Sequence, residues 1–136
     1  MDTPAPTPRV SFTAGAADLV RRLSAVHGPV MFHQSGGCCD GSSPMCYPDG
    51  DFWVGVGDVR LGLVPIEELD DPIPFWMSTS QFEYWKHTHL TVDVVPGRGG
   101  GFSLESPEGM RFLIRSRVFT DEEEGTLEPT VSGADV

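Results

Sequence analysis

Glycine and proline punctuate this chain so densely that no long regular element can run through most of it. Sixteen Gly and twelve Pro stand among 136 residues, leaving only short apolar stretches between breaks. Glycine admits backbone conformations that other residues avoid, and proline removes a donor from any helix or sheet ladder. Short strands joined by turns follow from this, rather than a helical bundle. Three Trp and eight Phe supply the large side chains that a core of this size needs. The predicted fold is a single α+β domain over residues 11–119, mainly antiparallel β, with an N-terminal helix and one short later helix.

The helix is the clearest element. In AGAADLVRRLSAVHG, Ala16, Leu19, Val20, Leu23 and Val26 recur at helical spacing, with Arg21 and Arg22 off that face. Thr13 is the expected N-cap, and Gly28 before Pro29 is the expected stop. PVMFHQ then reads as a strand, and DFWVGVGDVRLGLV as one or two strands bent at Gly55 or Gly57. EELDDPIPFW carries acid and proline and is predicted to be a loop. STSQFEYWKHT reads as a short helix capped by Ser78 or Ser80, with Phe82 and Trp85 inward. HLTVDVV, GFSLES and MRFLIRSRVF are predicted to form an antiparallel meander, because apolar residues alternate along them. The Pro-rich start, residues 1–10, and the acidic tail, residues 120–136, are predicted to be disordered.

Charge narrows the function. A net charge of −11 repels a phosphate backbone, so nucleic-acid binding is not expected. No apolar run approaches the roughly 20 residues that span a bilayer. MDTPAPTPRV lacks a basic segment followed by an apolar stretch, so no secretory signal is read there and a cytoplasmic location is expected. In that compartment thiols stay mostly reduced.

All three cysteines lie in one stretch, HQSGGCCDGSSPMCYP. Free cysteines that serve only as small hydrophobes would scatter through apolar runs. Three readings compete for Cys38, Cys39 and Cys46. In the first they bind a metal, since thiolates suit zinc, iron and iron–sulfur centres, and His33 adds a nitrogen donor. Adjacent cysteines diverge, which a site shared between two subunits would accommodate. In the second, one cysteine is a redox centre or nucleophile, its thiolate held by turn amides and glycines and opposed by Asp40, with His33 as the nearest base. In the third, the stretch is a structural turn. His87 and His89 alternate on a strand and could complete a site in space or remain polar-face residues.

Other motifs carry less. GRGGGF lacks the lysine and following helix of a phosphate-binding loop, and reads as a turn between strands. Asp93 reads as a solvent-face residue. Phe75, Trp76, Phe82, Tyr84 and Trp85 read as core or as a subunit contact. Arg98, Arg111, Arg115 and Arg117 are expected to pair with surrounding acids at the surface.

HQSGGCCDGSSPMC, QFEYWKHTHLTVDVVPGRGGGFSLESPEG and RFLIRSRVF together resemble a bacterial family called domain of unknown function 779. Members of that family are often encoded beside aldehyde dehydrogenases, so the resemblance implies an accessory role in aldehyde or alcohol oxidation. The order of helix, strand, GGC turn and late glycine–Phe strand is also similar to the A-type iron–sulfur carrier (HesB-like) fold. That similarity places Cys38 where such carriers have their first cluster ligand, although the distal Cys-Gly-Cys is missing here. The sequence therefore leads to an expected non-catalytic accessory protein that binds iron, an iron–sulfur cluster or zinc through Cys38, Cys39, Cys46 and His33. Its expected partners are an aldehyde dehydrogenase and further copies of itself. A thiol-dependent enzyme and a purely structural oligomerising subunit stand as alternatives.

Overall fold

The computed structural model describes residues 6–34, 44–50, 54–97 and 103–135. Among these described residues, eight strands and three helices follow in the order β1 (Val10–Phe12), α1 (Ala14–His27), β2 (Val30–Gln34), β3 (Met45–Pro48), β4 (Asp58–Val64), β5 (Ile73–Ser78), α2 (Thr79–Trp85), β6 (Thr88–Pro96), β7 (Met110–Val118), α3 (Asp121–Glu124) and β8 (Val131–Ser132). The α+β class is as predicted. The strands form two mixed sheets, β1-β6-β7 and β3-β2-β5-β4-β8. Antiparallel pairs predominate, but β1 runs parallel to β6, and β2 to β5.

Phe32 of β2 ties the two sheets together. Its ring stacks on Phe75 of its own sheet at 6.1 Å between centroids. It meets Phe12 and Phe112 of the other sheet edge-on, at 5.2 and 4.9 Å. Phe32, Phe75 and Phe112 are fully buried, so truncating any of them to alanine removes about 3–5 kcal/mol.

Helix α1 lies over this core because its sequence presents one apolar stripe. Ala16, Leu19, Val20 and Leu23 are buried, whereas Val26, predicted on the same face, is exposed in the last turn. The Thr13 hydroxyl accepts from the Ala16 N–H at 3.2 Å and donates to Asp93 at 2.9 Å. One residue thus caps the helix and pins it to β6. Gly28 ends the helix with φ 81°, a conformation that favours glycine. Gly15 allows the close approach, since a Cβ there would stand 3.3 Å from Val94.

Two segments differ from their predicted form. Within EELDDPIPFW, predicted to be a loop, IPFW instead belongs to β5, a central strand between β2 and β4. Proline is tolerated because Pro74 pairs only with Leu63 of β4, while pairing to β2 begins one residue later at Phe75. The predicted meander reduces to β6 and β7, which pair with each other over nine residues. Ser103–Glu105 forms a turn leading to a 3-10 turn at Ser106–Glu108, and Phe102 lies outside the described residues.

Residues 6–10 and 120–135, within the stretches predicted to be disordered, carry regular elements and cross-links. Thr7 forms a parallel bridge to Leu127, its N–H and C=O bonding Thr126 and Glu128. Val10 is buried in β1. The acidic tail folds because Thr120 and Glu123 form a capping box, and Arg117 grips Glu123 through two bonds of 2.7 and 2.9 Å. β8 then pairs with Val59 and Arg60. Among the described residues no helix is long and apolar enough to cross a membrane.

Candidate functional site

Side chains alternate across a strand, so β2 divides its residues between two faces. Phe32 and Gln34 point to the core between the sheets, and Met31 and His33 to the opposite face. The register with β3 sets Cys46 opposite Phe32, and Met45 opposite His33. Cys46 and His33 therefore leave the sheet on opposite sides. Cys38 and Cys39 lie outside the described residues.

His33 is 3% exposed, and its Nε2 lies 2.7 Å from Asp58 Oδ1. Asp58 begins β4, where its second oxygen accepts from the Gly55 N–H at 2.9 Å. The turn before β4 thus fixes the carboxylate, and the carboxylate fixes the imidazole. This is the arrangement in which an acid orients a metal-binding histidine. Trp76 stands beside His33 on β5, and the Arg60 guanidinium lies over its ring at 5.9 Å. A cavity of about 270 Å³ opens on the same face, lined by Met31, Asp49, Val54, Arg60 and Trp76 among others.

The core face holds a different polar group. Cys46 is fully buried and unpaired with any other cysteine. Burial pushes its thiol well above the usual range, with the nearby Glu105 carboxylate adding to the effect. A thiol so placed is protonated and inert at neutral pH. The Cys46 N–H donates to the Ser103 hydroxyl at 2.8 Å, and the Leu104 N–H to the Cys46 carbonyl at 2.9 Å. The Ser103 hydroxyl in turn donates to Glu105, which is 1% exposed. Burial raises the Glu105 carboxyl, opposed by hydrogen bonds from Ser103 and from the backbone N–H groups of Glu105 and Phe112. Gln34 is also buried on this face, and neither of its amide atoms has a partner among the described residues.

Of the expected donors, then, His33 gains an orienting acid while Cys46 serves the core. No group of three or more His, Cys, Asp or Glu side chains suited to a metal occurs among the described residues. His87 and His89 do not approach His33. His87 stands in the turn before β6 rather than on a strand, 3.8 Å from Glu124, and His89 lies on β6 against the Phe119 ring. Asp58, Glu105 and Gln34 carried no sequence signal. Each is a lone polar residue whose role depends on what the fold brings beside it.

The description "Domain of unknown function (DUF779)" matches residues 19–118. The chain belongs to this family. No curated protein and no solved structure matches it. The DUF779 region runs from within α1 to the end of β7, and so includes His33, Asp58 and the whole cysteine stretch. The elements that clasp the two chain ends, β1, α3 and β8, lie outside it.

Proposed function

We propose that this DUF779 protein is a cytoplasmic, non-catalytic accessory protein that binds iron, an iron–sulfur cluster or zinc through Cys38, Cys39 and His33. The observation that carries this reading is the buried His33–Asp58 pair, whose imidazole stands five residues ahead of the first cysteine in the chain. An imidazole held by a carboxylate suits a metal ligand, and thiolates suit the same soft ions. Cys46 drops out of the ligand set, since it faces the core with a protonated thiol. Its inertness also weighs against a nucleophile at that position. Adjacent thiolates diverge, so two copies of the chain sharing one centre best satisfy Cys38 and Cys39. An aldehyde dehydrogenase is the proposed partner, on the strength of the family resemblance.

The test is anaerobic purification followed by elemental analysis and a visible spectrum. Bound metal or a cluster chromophore is expected in the wild type and in Cys46→Ala, lost in the Cys38→Ser/Cys39→Ser double variant, and weakened in His33→Ala. Colourless, metal-free wild-type protein overturns the reading. Co-purification with an aldehyde dehydrogenase from the native cell tests the partner separately.

A further inference from the structure

Among the described residues, the two sheets present four outer edges, and three of them are blunted. β1 is three residues long and β8 only two. β3 is covered by Ser103 and Leu104, which take up the N–H and C=O of Cys46. β7 is different. It runs for nine residues in unbroken register with β6, without proline or bulge, and pairs with no other strand among the described residues. Residues 115–118 are all exposed, Val118 to 73%. A long straight edge of this kind is a template for another strand unless something guards it.

Hydrogen bonding shows which groups that edge offers. The Phe119 N–H donates to the His87 carbonyl at one end of the β6–β7 ladder, and the Gly109 carbonyl accepts from the Gly97 N–H at the other. Odd-numbered residues of β7 therefore face β6, and the N–H and C=O groups of even-numbered residues face outward. The outward Phe112 N–H is taken by the buried Glu105 carboxylate. Among the described residues, no partner takes the outward groups of Ile114, Ser116 and Val118.

We propose that β7 pairs antiparallel with β7 of a second copy, centred on Ser116, joining two three-stranded sheets into one of six. In that register Ser116 exchanges both backbone bonds with its counterpart, and Ile114 exchanges both with Val118 of the other chain. Glu105 stops the ladder from extending further, so the centre is defined. Val118, exposed on the core-side face, gains Ile114 of the second copy as its neighbour. On the outer face Arg115 stands opposite Arg117 of the second copy, but both charges are already neutralised within each chain. Arg115 bonds Asp93 at 2.7 Å, and Arg117 holds Glu123. The same neutralisation leaves little to attract an acidic peptide in place of a second copy. β7 also carries three of the nine basic residues, Arg111, Arg115 and Arg117, so two chains of net charge −11 meet at a surface less acidic than the rest.

This deepens the shared-subunit part of the functional reading without depending on metal. A metal-free dimer or a metal-loaded monomer would separate the two. The test is light scattering coupled to size-exclusion chromatography of the full chain at tens to hundreds of micromolar. The wild type is expected at twice the 14.8 kDa chain mass. Ser116→Pro removes an outward N–H while sparing every β6 bond, and Val118→Glu charges the new apolar contact. Both are expected as monomers, with far-UV circular dichroism unchanged. A monomeric wild type overturns the proposal. So does a dimer that persists in whichever of the two variants keeps the native spectrum.

Discussion

Cys46 and His33 lie one register position apart on neighbouring strands, yet their side chains leave the sheet on opposite faces. Strand alternation alone separates them, and no rotamer change can bring both to one ion. The sulfur at position 46 therefore belongs to packing, and the imidazole at position 33 to the other face, where Asp58 holds it.

Asp58→Asn keeps an acceptor for the Gly55 N–H but removes the charge beside His33. Metal affinity is expected to fall about 10–100-fold, the usual cost of losing such an orienting acid. Competition against a chromophoric chelator measures it. Unchanged affinity would remove Asp58 from the site.

Cys46→Ser places a hydroxyl where a buried thiol packs, and is expected to cost about 1–3 kcal/mol in urea unfolding. Native Cys46 should resist alkylation at neutral pH and react only on unfolding, because the protonated form dominates and access is closed. Peptide mapping after brief iodoacetamide treatment reads this directly. Rapid labelling of Cys46 in folded protein would contradict its placement.

Glu105 is an acid whose folded pKa is raised by burial. The folded state thus holds its proton to higher pH than the unfolded state does. Stability falls as pH rises from the ordinary value of 4.5 toward the raised one, and is flat beyond. Glu105→Gln keeps the bonds to Ser103 and Phe112 without that loss. The variant should gain on the wild type as pH rises through this window, measured by urea melts between pH 4.5 and 8. A constant difference across the window would count against it.

Glu123 shows the opposite sign. Hydrogen bonds from Arg117, then the Thr120 N–H, hold its carboxyl down to about 2 from 4.5. Its contribution is complete above 4.5 and is lost as pH falls toward 2. Amide protection factors at Val131 and Ser132 should therefore decline in acid in the wild type. Glu123→Gln should show low protection at every pH, with β8 released from β4.

What sequence reveals here is what depends on neighbours in the chain. Thr13 and Gly28 bound α1 because capping and positive φ are local matters, and the alternation in HLTVDVV and MRFLIRSRVF identifies β6 and β7 for the same reason. IPFWMS was obscured by Pro72 and Pro74, whose tolerance depends on which neighbour each residue of β5 pairs with. The tail was obscured by its acids, since Arg117, Thr7 and β4 reach it from distant positions. His33 stood out from its place beside the cysteines. Asp58 did not, because 25 residues separate it from the imidazole it orients.

The bridge between Thr7 and Leu127, with Arg9 donating to the Glu128 carbonyl at 2.8 Å, makes residues 7–9 and 126–128 one fastening. Deleting either of these two stretches should therefore loosen the other, although more than a hundred residues of chain separate them.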